Sequence, residues 1–225
     1  MIENHKITQS PNHKMRHRRG DWIQTYTGRK FWPLDPRPEE IFIEDIAHAL
    51  SLQCRFIGHC REHYSVAEHS WRASLMVPVV EFQATPGPYE GIPRVDKIPS
   101  ALWALLHDAP EAYLGDFARP LKYSRFFGWF YRRAERRLMR AICERFSLPY
   151  QEPESVKRAD RVMVLWEQRD LMAIAPEPWG IQDSRFQIPE RRISPSPARL
   201  MEELFLCRFE QLRERPGDAG SVEED

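Results

Sequence analysis

Four ionisable side chains stand where core residues are expected, and their types suit a metal. His69 lies three after Val66 and four before Ala73, on the apolar stripe of a predicted helix. His107 and Asp108 follow directly on the apolar run Ala101–Leu106, and a helix that is apolar on nearly every side is a buried one. Asp160 lies four after Val156, three before Met163 and four before Val164, again on an apolar face. A carboxylate on such a face is unfavourable unless it is paired or bound to a metal. Taken singly, each has a plainer reading: a core histidine satisfied by its neighbours, or an aspartate paired with Arg158 or Arg161. One divalent ion with nitrogen and oxygen ligands accounts for all four together, with helices from separate parts of the chain projecting them inward. Neighbours on a helix point about 100° apart, yet His107 and Asp108 differ in length and can lean towards one ion. Glu111, four after His107 and three after Asp108, shares that face. An acid there could handle the protons of a water at the metal.

The elements that must position these groups are mostly helical. Ile43, Ile46, Ala47 and Leu50 predict a helix over 43–53, and Val66, His69, Ala73, Met76 and Val77 predict a second. Ser100 is expected to cap an apolar helix to about Tyr113. An arginine-studded amphipathic helix is expected over Phe126–Phe146. Pro153 should open another, to about Ala173, and Ser194 or Ser196 should cap a last one to Arg213. Thr25–Glu39 contains Gly28, Pro33, Pro36 and Pro38 and reads as a short hairpin or extended stretch. Fold class is therefore all-α, with five to seven helices around one core. Residues 1–20 read as a flexible basic arm, 21–213 as the domain, 78–98 as an inserted loop rich in Pro and Gly, and 214–225 as an acidic disordered tail. The four cysteines form no C-x-x-C pair and read as free thiols of a cytoplasmic protein. No apolar run approaches the roughly 20 residues that span a bilayer, so no membrane partner is expected. With 33 basic and 33 acidic residues the net charge is zero, which disfavours a nucleic-acid partner.

The set His69, His107-Asp108 and Asp160 resembles the H…HD…D signature of the HD-domain metal phosphohydrolases. The stretch LLHDAPEAYLGDFARPLKY (Leu105–Tyr123) is similar to the corresponding block of the HD-domain 5′-deoxynucleotidases. IEDIAHALSLQCRFIGHCREHYSVAEHS (Ile43–Ser70) is similar to a group that includes phage dATP triphosphohydrolases. The resemblance covers about Gly28 to Met172. It implies a helical core, one divalent metal per chain on His69, His107, Asp108 and Asp160, and Glu111 as the catalytic carboxylate. It further implies Asp116 as a second acid near the metal, Lys122 and Arg55 as phosphate contacts, Phe56 against the sugar or base, and a homo-oligomer.

The reaction that fits is hydrolysis of a phosphoester or phosphoanhydride of a 2′-deoxynucleotide, either mono- or triphosphate, with the proton handled by Glu111 and the phosphoryl charge met by Arg55 and Lys122. Four protein ligands leave an open position only if the ion accepts five or six, which favours Mn, Co, Fe or an expanded Zn over a closed structural zinc; Mg is less expected. No Gly-rich phosphate loop is present. His48, His59 and His63 could orient the ligands or line the pocket, and the arginines of 125–145 form a basic face. The alternatives from another class are a non-catalytic, metal-stabilised module that binds nucleic acid through the basic arm and helix, or an HD-type nuclease.

Overall fold

The computed structural model of the chain describes residues 18–83, 98–181 and 188–213, without the side chains of 81–83 and 98. An antiparallel hairpin of β1 (Ile23–Gln24) and β2 (Lys30–Phe31) comes first. Six helices of nine residues or more follow among the described residues: α1 (Ile43–Leu52), α2 (Val66–Gln83), α3 (Ile98–Leu106), α6 (Phe127–Arg145), α7 (Glu154–Leu171) and α8 (Ala198–Arg213). Two single-turn helices, α4 (Glu111–Leu114) and α5 (Arg119–Lys122), lie between α3 and α6. The class is all-α, as expected. No described helix is long and apolar enough to cross a membrane.

Helix α2 is the central element. It packs on α3 and α7, while α8 lies across α1, α2 and α3. The sequence explains this: Val66, Ala67, Ala73, Val77 and Val80 are all buried, so α2 is covered on more than one side. The Ser65 hydroxyl accepts from the Glu68 amide at 3.1 Å and caps its start. The other long helices bury single stripes at the three-and-four spacing, such as Tyr131, Ala134, Leu138, Ala141 and Ile142 on α6, or Met201, Phe205, Phe209 and Leu212 on α8.

Prolines correct the expected boundaries twice. Helix α2 runs through Pro78 to Gln83, where a loop was expected from residue 78. A proline cannot donate to the carbonyl four residues back; here Arg208 Nη2 reaches that Ser74 carbonyl at 3.5 Å, and its Nε meets the Ser74 hydroxyl at 3.2 Å. The rest of the expected loop, 84–97, lies outside the described residues. At the HD motif the opposite happens. Pro110 ends α3 at Leu106, and residues 107–110 form a tight turn before α4, where a continuous helix to Tyr113 was expected. The turn is closed by Ala109 N to Leu106 O at 3.0 Å and Glu111 N to Asp108 O at 2.9 Å. That helix also begins at Ile98, so Ser100 is not its cap. Helix α8 starts after Pro197, and the Ser196 amide donates to Glu68 Oε2 at 2.9 Å.

The expected arm ends sooner than residue 20. Arg18 is bound to both Glu40 oxygens at 2.7 Å and to the Asp35 carbonyl at 2.8 Å. Residues 1–17 and 214–225, most of the expected arm and the whole tail, lie outside the described residues. The basic face of α6 is partly structural: Arg137 donates to the Leu34 carbonyl at 2.8 Å, Arg145 to the Ile41 carbonyl at 3.0 Å, and Arg132 to that of Lys122.

Gly128 lets α6 approach the end of α5, because a Cβ there would run into the Lys122 carbonyl. Gly128→Ala is expected to destabilise the fold by about 1–3 kcal/mol through overpacking. Thermal or urea unfolding checks this, and a melting temperature equal to wild type would show that the α5–α6 corner yields freely.

Candidate metal centre

Three elements converge on the centre, although the Asp160 side chain, expected on a buried face, is 40% exposed. Helix α2 supplies His69, fully buried; the turn after α3 supplies His107 and Asp108; α7 supplies Asp160. One ligand atom each from His69, His107 and Asp108 lies within 4.8 Å of the other two. Asp160 Oδ1 stands 3.2 Å from His69 Nε2 and 4.0 Å from His107 Nε2. The tight turn resolves the angular problem of neighbouring ligands, since His107 Nε2 and Asp108 Oδ2 come within 3.2 Å of each other.

The fit of a cation follows from the ring nitrogens. His107 Nδ1 sits 2.6 Å from the Ala104 carbonyl, which can only accept, so Nδ1 donates. His69 Nδ1 sits 2.6 Å from Glu167 Oε1. Burial raises the Glu167 carboxyl, but Arg55 and His69 outweigh it and hold it below its ordinary value, so it is ionised and also accepts. Both Nδ1 atoms carry a proton, and in the neutral rings both Nε2 lone pairs face each other across 3.2 Å. That arrangement needs a positive charge between the nitrogens. Without a metal the neighbouring acids hold protons there. Burial pulls the His107 ring down, yet Asp108 and then Asp160 push it up to about 10. His69 is likewise raised: burial and Arg55 pull it down, and Glu167 and Asp160 overcome them. Asp108 stays far below the usual carboxylate range, because the two imidazoles and Arg55 outweigh its burial. A divalent ion can replace those protons on the same lone pairs.

Glu111 forms a second group with Lys122 and Asp116. It is buried and in close contact with Lys122 Nζ, which also lies 3.6 Å from Asp116 Oδ1. Burial, then Asp108, lifts the Glu111 carboxyl to about 8 against the pull of Lys122. Burial likewise raises Asp116. Arg55 Nη2 pairs with Glu167 at 3.1 Å and Nη1 with Asp108 Oδ2 at 3.5 Å. It leads a loop in which Phe56 and Ile57 both adopt φ near 54°, a left-handed conformation that is strained for a β-branched residue. The Phe56 ring is 5.9 Å from that of Trp179.

Sequence reasoning missed two positioning residues. Glu167 is seven after Asp160 and four after Met163, so the apolar face that singled out Asp160 also singles it out. Gln53 had no such signal; its amide donates to the Glu111 carbonyl and accepts from the Asp116 amide, both at 3.1 Å. The expected supporting histidines are elsewhere. His48 pairs with Glu202 at 3.0 Å and stacks on Tyr26, and His59 and His63 are exposed. Cys54 and Cys60 are free thiols with sulfurs 3.5 Å apart.

A family model described as HD domain matches residues 54–168, a span that holds every group of the centre except Gln53. The chain is 36% identical over 165 residues to the uncharacterized protein YfdR of Escherichia coli strain K12, covering 73% of this chain and 76% of that one. It is 41% identical over 140 residues to an uncharacterized protein of Rhodobacter capsulatus, covering 61% of this chain and 64% of that one.

Glu167→Gln keeps an acceptor for His69 but removes the charge that orients it. The expected result is metal affinity lower by about 10–100-fold, the usual effect of losing such a partner, read by calorimetry with Mn²⁺. Unchanged affinity would show that His69 needs no charged support.

Proposed function

The chain belongs to the HD-domain family, within the metal-dependent phosphohydrolases, and on that premise we propose that it hydrolyses a phosphoester or phosphoanhydride bond of a 2′-deoxynucleotide. The observation that carries this reading is the meeting of two oriented imidazoles and two carboxylates beside a buried, proton-holding Glu111. The similarity of Leu105–Tyr123 to the 5′-deoxynucleotidase block supports the substrate class. The proposed ligands are His69, His107, Asp108 and Asp160, holding one Mn, Co, Fe or Zn ion. When bound, such an ion makes water more acidic and neutralises charge on the phosphoryl oxygens.

The chain's own residues supply the rest. Glu111 takes a proton from the attacking water and can return it to the leaving oxygen. Lys122 and Asp116 set how readily it does so, because Lys122 favours the ionised form and Asp116 opposes it. Gln53 fixes the backbone at both acids. Arg55 keeps Glu167 ionised and leans over Asp108 towards the site, where it can meet a phosphoryl oxygen. Phe56 is proposed to lie against the sugar or base. Against a nucleic-acid module stands the use of Arg132, Arg137 and Arg145 on backbone carbonyls.

Glu111→Gln is expected to keep metal binding and to lower kcat at least about 100-fold, the low end for general acid–base catalysis. Phosphate release from a deoxynucleotide panel with Mn²⁺ or Co²⁺ measures it. Since the ionised Glu111 is the active form, the rate should rise with pH through its titration. Lys122 lowers that titration, so Lys122→Met should move the rising limb to higher pH. A limb that stays in place, or moves down, would assign it to another group.

A further inference from the structure

Beside the centre, on the side of α7, lies a cavity of about 470 Å³ that Asp160 helps to line. Its walls carry three cations, Arg119 from α5 and Lys157 and Arg161 from α7, together with Tyr123. Lys157, Asp160 and Arg161 share one face of the helix by their spacing of three and four. The face that turns Asp160 to the metal therefore sets two cations next to it. Glu152 also lines the cavity, and its carboxylate feels His107 and then Lys157, so it stands between the centre and that cation.

Charge pairing separates these cations from those nearer the centre. Arg55 is held by Glu167 and Asp108, and Lys122 by Glu111 and Asp116. Arg119 and Arg161 are exposed and form no salt bridge among the described residues. Lys157 pairs with Glu154, at 3.7 Å, with both side chains well exposed, and such a pair is weak. One phosphoryl group at the metal can be met by the ion and Arg55. Each further phosphate needs donors of its own, and Arg119, Arg161 and the weakly paired Lys157 offer them in a space of ordinary ligand size.

We propose that this cavity is a subsite for an oligophosphate chain, bound by Arg119, Lys157 and Arg161, so that the enzyme takes nucleoside di- and triphosphates ahead of monophosphates. The substrate half of this rests on the phosphohydrolase reading of the same centre; the binding half does not.

The test uses the full chain with Mn²⁺. Calorimetry with tripolyphosphate should show the Arg119→Gln/Arg161→Gln double variant binding at least about tenfold more weakly than wild type, as loss of charge-assisted contacts implies. Lys157→Gln should weaken binding in the same direction. In turnover, KM of the double variant should rise at least about tenfold for deoxynucleoside triphosphates and less than about threefold for monophosphates. Both arginines are exposed, and matching thermal melts check the fold. Equal tripolyphosphate affinity in variant and wild type overturns the subsite, as does an equal rise in KM for mono- and triphosphates. Wild type that hydrolyses monophosphates and ignores triphosphates overturns it too. In a Glu111→Gln background, where turnover does not intervene, tighter binding of a deoxynucleoside triphosphate than of tripolyphosphate identifies a nucleotide as the occupant. The reverse order overturns that assignment in favour of a free oligophosphate. If no nucleotide is hydrolysed but tripolyphosphate still prefers wild type, the phosphohydrolase reading falls and the subsite stands.

Discussion

Two imidazole nitrogens, His69 Nε2 and His107 Nε2, face each other across 3.2 Å in the interior of the protein, and the surrounding structure is arranged to hold them there. Each ring is fixed from behind by a group that only accepts, the Ala104 carbonyl or the ionised Glu167. Fixed donors behind mean lone pairs in front, and opposed lone pairs demand a cation. Glu167 is itself fully buried and needs Arg55 to remain charged. Arg55 in turn is held by a loop with two left-handed residues, anchored where its amide donates to the Tyr64 carbonyl at 2.8 Å. The strained loop, the buried ion pair and the packing of α2 on α7 are thus one device for presenting a single nitrogen.

The acid side of the centre is built separately, from short elements. Glu111 begins a one-turn helix and Lys122 ends another, and Gly128 admits α6 close to the Lys122 carbonyl. Of the proposed ligands, His69 and Asp160 come from the long helices α2 and α7 and His107 and Asp108 from the tight turn after α3, while the proposed proton-handling group comes from a short element pinned by the Gln53 amide.

How far this was legible in the sequence depended on burial. His69, His107, Asp108 and Asp160 stood out as polar residues on apolar faces, and the helices that carry His69 and Asp160 followed from the same periodicity; His107 and Asp108 instead lie on a turn, and the Asp160 side chain is 40% exposed. Glu167 obeys the same rule and was readable in principle. The breaks were harder, because a proline has two outcomes that depend on distant residues. Pro78 stays inside α2 where Arg208, from α8, reaches the carbonyl it leaves free. At Pro110 the Leu106 carbonyl is instead met by the Ala109 amide in a tight turn, and α3 ends there. Gln53 was invisible, since nothing in its own neighbourhood reveals that it bridges Glu111 and Asp116. Arg18 looked like part of a solvated basic arm because its partners, Glu40 and Asp35, come later in the chain.

The most direct measurement is an anomalous-difference map from crystals of the full chain grown with Mn²⁺. The expected result is one peak per chain, within about 2.0–2.3 Å of His69 Nε2, His107 Nε2 and carboxylate oxygens of Asp108 and Asp160. A peak bound elsewhere, or none at saturating Mn²⁺ with the two imidazoles still opposed, would contradict the claim that these nitrogens are held apart for a metal.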